Sequence, residues 1–354
     1  MVRITVEKSG WPIDSSLIVN LFHFLMNLSI RNDSVIIKAR LIVTFALIAL
    51  FLSCEKPSSY SIIKNWPIVP EALVMGQVTG VGVNTNDEII VFHRADRGWM
   101  DPMPETPIKQ ATIFIFDSQS GELVDYFGSN EFIMPHGLSI DAENNIWITD
   151  VGAHQVKKYS PQGNLLLTLG KYRESSQDID HFARPTDISF DSNGNIYVSD
   201  GYWNTRVIKF SKNGTFISQW GEPGKQAGEF NLPHGISIDR NDHVYVADRT
   251  NSRIQIFDDQ GKFINQVSRD QIGRPFGVTT LNHLIYVIDG GDQPNNTRSY
   301  VYVLNREDKE IISKFDASLT IDTSNLGHDI AVDSNGSIYV ADAWANTLRK
   351  FELK

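Results

Sequence analysis

The sequence has a single cysteine, Cys54, among 354 residues. One cysteine cannot form an internal disulfide, which excludes a fold built on a disulfide framework. The sequence also lacks an excess of basic residues, since 32 lysines and arginines face 42 aspartates and glutamates for a net charge of −10. Nucleic acid is therefore not expected as a partner, because no basic surface is available to neutralise phosphates.

Long apolar runs are scarce, and the one clear example lies near the amino terminus. Residues 41–52 are almost wholly apolar, follow the basic residues Lys38 and Arg40, and end at Ser53-Cys54. A run of about 12 residues is short for a membrane span, and this order of segments is typical of an export signal. Its end resembles a bacterial lipobox, which predicts lipid modification of Cys54 and a lipoprotein anchored on the periplasmic or cell-surface side of a membrane.

Two alternatives for this segment stay open: a plain membrane anchor, or an ordinary cleaved signal with an incidental cysteine. In the lipoprotein interpretation residues 1–54 are leader and signal peptide. Residues 55–64 are then a polar, proline-interrupted tether, and residues 65–354 form the folded domain.

Beyond about residue 65 the sequence lacks the period of an amphipathic helix, which argues against a helical domain. Short alternating strands separated by Asp, Asn and Gly turns occur instead, in a unit that recurs roughly every 40–55 residues. Six copies begin with the segments 78–84, 134–141, 185–191, 233–239, 275–278 and 327–333. This pattern predicts an all-β, six-bladed β-propeller with four strands in a blade.

The sixth copy reaches Lys354 without an outer strand. A propeller must protect its edge strands, so an amino-terminal strand around Asn65 to Leu73 is predicted to complete the sixth blade. Aspartates that end the second strands are predicted to fix the following turns through side-chain to backbone hydrogen bonds. They are Asp150, Asp200, Asp248, Asp289 and Asp342.

One position of the repeat points to a metal site. At the second residue of the inner strand the six copies carry Thr79, His136, Thr186, His234, Phe276 and His328. Alternate blades of a six-fold ring face the axis from directions about 120° apart, so the three imidazoles should converge. Three histidines with an open fourth position are a catalytic zinc ligand set. A purely structural role is the alternative, but a structural motif would not skip every second copy.

The next position is Asp329 in the sixth copy, one step along the channel, where a carboxylate and backbone carbonyls suit a second, harder cation. Arg94 and Arg249 follow second strands and are predicted to bind a carboxylate at one mouth of the ring. Tyr202 on the same rim is a candidate general base. The alternatives are ion pairs of the arginines with Asp96 or Asp248, and a packing role for the tyrosine.

Several motifs together resemble one enzyme family. They are the segments 76–81, 92–94, 135–141, 149–151, 154–156, 185–187, 199–202, 247–249 and 328–330. Over about residues 75–354 they look like peptidyl-α-hydroxyglycine α-amidating lyase, a six-bladed propeller of NHL repeats. The resemblance implies cleavage of a peptidyl-α-hydroxyglycine, or a related N-acyl-α-hydroxy amino acid, to an amide and glyoxylate.

The resemblance also implies roles for single residues. Zinc would be held by His136, His234 and His328, and a structural calcium by Asp329 with the carbonyls of Val81 and Leu138. Tyr202 would be the base, while Arg94 and Arg249 would act on the substrate carboxylate and on the tyrosine. The sequence offers no histidine-rich copper ligands, so a separate enzyme is expected to hydroxylate the substrate.

Two other functions compete with the lyase. A non-catalytic, membrane-tethered NHL propeller that binds a peptide or a glycan would need no metal. A calcium-dependent sugar-lactone hydrolase would use a cluster of carboxylate and amide ligands rather than three histidines.

Overall fold

A computed structural model of the protein describes residues 59–292, 298–318 and 325–354, without the side chain of Arg269. The predicted signal, the predicted lipidation site Cys54 and residues 55–58 of the predicted tether lie outside these residues, so the lipoprotein interpretation stays a prediction. Within the described ranges no helix combines the length and apolar character that a membrane span requires.

Six four-stranded antiparallel sheets make up the described chain, which confirms the predicted all-β propeller with six blades. Blades one to three contain β2 (Val78–Val83), β3 (Glu88–His93), β4 (Ile113–Asp117), β5 (Leu123–Phe127), β6 (Pro135–Ile140), β7 (Ile146–Asp150), β8 (Gln155–Tyr159), β9 (Leu165–Leu169), β10 (Asp187–Phe190), β11 (Ile196–Asp200), β12 (Arg206–Phe210) and β13 (Phe216–Trp220). Blades four and five contain β14 (Pro233–Ile238), β15 (Val244–Asp248), β16 (Arg253–Phe257), β17 (Phe263–Val267), β18 (Pro275–Leu281), β19 (Leu284–Asp289), β20 (Tyr300–Asn305) and β21 (Ile311–Asp316). Blade six combines β22 (Gly327–Val332), β23 (Ile338–Asp342) and β24 (Thr347–Leu353) with β1 (Tyr60–Ile62), and a short helix, α1 (Arg269–Ile272), precedes blade five.

The ring is closed by an amino-terminal strand, as predicted, but at a different place. Strand β1 pairs with β24 from Tyr60 opposite Leu353 to Ile62 opposite Phe351. The predicted segment from Asn65 to Leu73 carries only an isolated bridge, at Ile68. Two prolines in that segment, Pro67 and Pro70, cannot donate to a strand ladder, so the pairing falls on the residues before them.

The core lies between neighbouring sheets, where β-branched and aromatic residues of the second and third strands pack face to face. Tyr197, Tyr245 and Tyr339 are buried at equivalent places. Each hydroxyl donates to the aspartate that opens its own turn, at distances of 2.8 to 3.1 Å. The phenol is thus satisfied within the apolar layer, which fixes the spacing between sheets.

Of the aspartates that end the second strands, Asp150, Asp289 and Asp342 accept backbone hydrogen bonds from the following turn, as predicted. Asp200 and Asp248 accept instead from the side chains of Asn204 and Asn251. Asp150 accepts hydrogen bonds from the N–H groups of Ile133 and Met134 before the inner strand, at 2.6 and 2.9 Å. It also accepts from Gly152 and Ala153 in the following turn, at 2.9 and 3.0 Å. In blade two, one buried carboxylate therefore ties the entry of the inner strand to the turn on the same face of the ring.

Removing β1 should open the ring. A chain that begins at Lys64 loses the ladder to β24 and the stacking of Tyr60 on Phe315, whose ring centroids lie 5.0 Å apart. We expect Tm to fall by at least about 5 °C and soluble aggregates to appear, because β24 becomes an exposed edge. Differential scanning calorimetry and light scattering measure both. A chain that begins at Pro57 is the control, and equal stability of the two would show that β1 does not close the ring.

Candidate metal centre and active site

Three inner strands carry the predicted metal ligands to one point on the ring axis. His136, His234 and His328 are the second residues of β6, β14 and β22, and all three are buried. One ring nitrogen from each lies within 4.8 Å of the others. The ring centroids are 4.5 to 4.8 Å apart. The convergence expected from alternate blades is therefore present.

Each imidazole is oriented by the blade that follows it. His136 Nδ1 lies 2.8 Å from the carbonyl oxygen of Thr186, His234 Nδ1 lies 2.8 Å from that of Phe276, and His328 Nδ1 lies 2.7 Å from that of Thr79. A carbonyl only accepts, so every Nδ1 carries the proton. Every Nε2 then carries no proton and has a free lone pair, as a metal ligand requires.

The Nε2 atoms suit a metal ion. His234 Nε2 is buried and has no hydrogen-bond partner among the described residues, which is costly unless a ligand fills its lone pair. His136 Nε2 meets the hydroxyl of Tyr202 at 3.1 Å. Burial, and the positive charges of Arg94 and Arg249, lower the pKa of His328 to about 3. The pKa of His136 and of His234 is also lowered by burial, so all three rings are neutral and able to bind a metal.

Below the histidines the channel contains two buried carboxylates rather than one. Asp329 accepts hydrogen bonds from the N–H groups of Val81 at 2.9 Å and Ile330 at 2.8 Å. Asp187, opposite in the ring, accepts from Ile236 at 3.0 Å and Ile188 at 2.8 Å. Burial raises the pKa of Asp329 to about 7, and burial together with the charge of Asp329 raises that of Asp187 well above its usual range.

The two acids occupy equivalent positions because neighbouring blades make room for them. A Cβ at Gly137 would lie 2.9 Å from Asp187 Oδ1, and one at Gly277 would lie 3.1 Å from Asp329 Oδ1. A space of about 10 Å³ separates the histidines from the carboxylates. Val81 and Leu138 line the wider cavity on the far side, together with both acids. The residues expected for a second cation thus lie together, and the sequence interpretation had left Asp187 out of that site.

Above the histidines a cavity of about 230 Å³ brings together Arg94, Tyr202 and Arg249 with His328. Arg94 donates to Gln77 Oε1 at 2.7 Å and to the carbonyl of Pro135 at 3.0 Å, whereas Asp96 accepts from Gln110. Burial lowers the pKa of Arg94 to about 10, so it remains charged at neutral pH. The predicted alternative of an ion pair between Arg94 and Asp96 is therefore wrong.

Arg249 is held differently. Its Nη2 lies 3.0 Å from Asp292 Oδ2, and its guanidinium lies over the ring of Phe276 at 3.8 Å. Asp248 instead pairs with Arg253 at 2.7 Å, which excludes the other predicted ion pair. Tyr202 also contacts Trp99, with ring centroids 5.2 Å apart.

Sequence reasoning missed Asp187 as a channel acid, Asp292 and Gln77 as arginine partners, and the apolar wall of the cavity. Asp187 was visible as the second aspartate at the Asp329 position of the repeat. Gln77 lies in the motif segment 76–81 but received no role there, and Asp292 lies in a connection whose course the repeat does not determine.

Fold and site together define a six-bladed NHL-repeat propeller with a buried three-histidine site on its axis. Residues 181–354 match a family model described as a 6-bladed beta-propeller, and residues 132–159 match the NHL repeat. Solved propellers share the fold at low identity. A virginiamycin B lyase from Staphylococcus aureus has a TM-score of 0.56 at 11% identity, over 84% of this chain and 100% of that one. A gluconolactonase from Xanthomonas campestris has 0.57 at 12%, over 85% and 99%.

Curated relatives are closer in sequence. Peptidyl-alpha-hydroxyglycine alpha-amidating lyase 2 of Drosophila melanogaster is 31% identical over 304 residues, which cover 80% of this chain and 72% of that protein. A probable lyase of the same description from Caenorhabditis elegans is 34% identical, over 62% of this chain and 68% of that protein. The chain belongs to the peptidyl-α-hydroxyglycine α-amidating lyase family.

Longer relatives contain the same region within a larger protein. The peptidyl-glycine alpha-amidating monooxygenase of Mus musculus is 35% identical over 313 residues, which cover 82% of this chain and 31% of that protein. The chain thus spans about a third of the length of these vertebrate relatives.

The buried acid pair should make the metal-free protein sensitive to pH. The folded-state pKa of Asp329, about 7, is above its unfolded value, so its favourable contribution is complete at low pH and is lost as pH rises from about 4 to 7. The buried histidines, whose folded-state pKa values are lowered, make stability rise with pH. The test therefore compares the change in Tm of a variant with that of the wild type. In chelator-treated protein, the Tm of Asp329→Asn should rise relative to the Tm of the wild type as pH increases from about 4 to 7. Adding Ca²⁺ should raise the Tm of the wild type more than that of Asp329→Asn.

The profiles come from thermal unfolding followed by circular dichroism at a series of pH values. Glu143→Gln is the control, since that carboxylate is exposed. If the Tm of Asp329→Asn and of the wild type change with pH in parallel, ionisation of the buried acid pair does not destabilise the metal-free protein.

Proposed function

We propose that the protein is a zinc-dependent lyase that cleaves the C–N bond of a peptidyl-α-hydroxyglycine, or of a related N-acyl-α-hydroxy amino acid, to give an amide and glyoxylate. One observation carries the proposal. A three-histidine metal site, two guanidinium groups and a phenol border a single small cavity. Membership of the lyase family supports the same reaction.

Zinc is the metal that this ligand set fits best, because three neutral imidazoles with an open position are typical of catalytic zinc. His136, His234 and His328 would hold it through Nε2, since each Nδ1 faces a carbonyl. When bound, zinc supplies Lewis-acid chemistry toward an oxygen of the substrate. All other parts of the mechanism fall to the side chains around the cavity.

Arg94 and Arg249 bind the substrate carboxylate and orient the hydroxyglycine end. Arg94 suits this role because its described partners, Gln77 and the Pro135 carbonyl, are uncharged and leave its positive charge unneutralised. Arg249 pairs with Asp292, but Arg274 contacts the same carboxylate oxygen at 2.6 Å, so part of the charge of Arg249 remains for the substrate carboxylate.

Tyr202 acts as the general base on the α-hydroxyl group. Its oxygen lies 3.1 Å from His136 Nε2, at the edge of the metal site. As Tyr202 takes the hydroxyl proton, the electron pair of the O–H bond forms the second bond of the glyoxylate carbonyl, and the C–N bond breaks with its electron pair on nitrogen. The proton is then delivered to the departing amide nitrogen, so atoms and charge balance without an external reactant.

We also propose that a structural calcium ion binds below the histidines, on Asp329 with the carbonyls of Val81 and Leu138. Two buried acids facing one narrow space, with no cationic side chain among their described hydrogen-bond partners, favour a hard cation there. A cation would also remove the repulsion between Asp187 and Asp329.

The zinc proposal is tested on the full-length protein. Wild type should contain about one zinc and release glyoxylate from an α-hydroxyglycine peptide, and a chelator should stop release until zinc is restored. His234→Ala should lose zinc and reduce kcat/KM by at least about 10³-fold, because the ligand set is incomplete. His283→Ala is the control, since His283 is exposed and lies outside the cavity.

Metal content is measured by mass spectrometry on the sample used for the assay, and circular dichroism checks the fold. Full activity of His234→Ala, or turnover by zinc-free protein, would refute the role of zinc. Stoichiometric zinc without glyoxylate release would refute the lyase.

Tyr202→Phe tests the base separately from the metal. It removes only the phenolic oxygen, so zinc should be retained while kcat falls by about 10² to 10⁴-fold. Steady-state kinetics with metal analysis measure this, and Tyr172→Phe is the matched control because Tyr172 is exposed. If kcat is unchanged in Tyr202→Phe, the base is another group.

A further inference from the structure

The catalytic cavity is polar at its base and apolar at its mouth. Arg94, Tyr202, Arg249 and His328 form the base. The remaining wall is formed by Gln77 and by five apolar residues, Trp99, Phe276, Leu326, Ala343 and Trp344. Trp99 is 39% exposed and Trp344 is 48% exposed. Two large aromatic side chains are therefore half-exposed to solvent beside the polar base of the cavity.

The indole ring of Trp344 has no evident structural role. Its backbone is fixed, because its N–H donates to Asp342 Oδ1 at 3.0 Å and the adjacent Ala343 N–H donates to the Leu326 carbonyl at 3.0 Å. Among the described residues no aromatic ring or cation packs against the indole, in contrast to Trp99, which contacts Tyr202 and Arg94. A half-exposed indole on a fixed backbone is a pre-organised apolar contact surface.

The direction of the substrate follows from the closed end of the channel. The histidines leave only about 10 Å³ between themselves and the acid pair, so nothing larger than a water or an ion passes below them. With the carboxylate on the arginines, the acyl side of the scissile bond must run toward the open mouth. The volume of about 230 Å³ is below the roughly 300–1,000 Å³ of sites that enclose a drug-sized ligand. It suits the hydroxyglycine end and one adjoining group.

We propose that Trp344, together with Trp99, forms a subsite that selects α-hydroxyglycines whose adjoining acyl group is large and apolar, aromatic above all. This inference rests on the proposed lyase function and names its substrate class. Trp344 is a specificity residue: it contacts the acyl group and takes no part in the proton transfer. Apolar contact with both indoles removes their exposed faces from water together with that of the substrate.

The test compares two probes with the full-length zinc protein, N-benzoyl-α-hydroxyglycine and N-acetyl-α-hydroxyglycine. Wild type should prefer the benzoyl probe by about tenfold or more in kcat/KM, most of it in KM, since a pocket discriminates apolar groups by amounts of this order. Trp344→Ala should shrink that ratio severalfold, and Trp344→Phe should keep most of it. Trp344 is the informative site, because substituting Trp99 would also disturb Tyr202 and Arg94.

Tyr172→Ala is the control, an exposed aromatic residue outside the cavity, and it should leave the ratio as in wild type. Glyoxylate release from both probes with no preference, or a preference that Trp344→Ala does not reduce, would overturn the subsite while leaving the lyase intact. Absence of release from both probes would overturn the proposed function, and this inference with it.

Discussion

The contact on which this structure depends is a hydrogen bond between blades. Each axial histidine faces a carbonyl of the next blade through Nδ1, at 2.7 or 2.8 Å. The bond spans the gap between two sheets that share no strand ladder at that depth, so it positions the blades and the imidazole at once. Because the carbonyl accepts, it also determines the tautomer and leaves Nε2 free toward the axis. The same bonds therefore hold neighbouring blades together and orient the histidines.

The repeated motif gives an asymmetric site because the residue type varies between copies at two consecutive positions of the inner strand. The first alternates histidine with threonine or phenylalanine, and Thr186 uses its hydroxyl to bond the Ser199 and Pro233 carbonyls rather than to face a metal. The second is glycine in four copies and aspartate in Asp187 and Asp329. The same backbone, held by the same terminal aspartates, thus presents nitrogen ligands at one depth and oxygen ligands at the next.

The repeat made most of the fold predictable, since each copy carries its own strands, turns and terminal aspartate. The repeat also located the histidines, because the blade that carries each one determines the direction from which its side chain faces the ring axis. It failed where the chain departs from the repeat. The closing strand lies at Tyr60–Ile62 rather than after Asn65, since prolines there cannot pair. The partners of Arg94 and Arg249, Gln77 and Asp292, depend on the course of connections that follow no periodicity. Asp187 was assigned no role because it follows a threonine, Thr186, whereas Asp329 directly follows a predicted metal histidine.

The charges around the cavity indicate what it binds. The histidines are neutral, and Asp292 is shared between Arg249 and Arg274, so Arg94 and part of the charge of Arg249 are uncompensated above the three histidines. The charge of Arg94 is buried and lies beside Trp99, where the effective dielectric is low and an anion gains more than it would in water. One anionic group beside the arginines is therefore favoured, and the apolar wall of the cavity disfavours a second. Under the proposed function, a single terminal carboxylate joined to an uncharged acyl group is the substrate that satisfies both ends of the cavity.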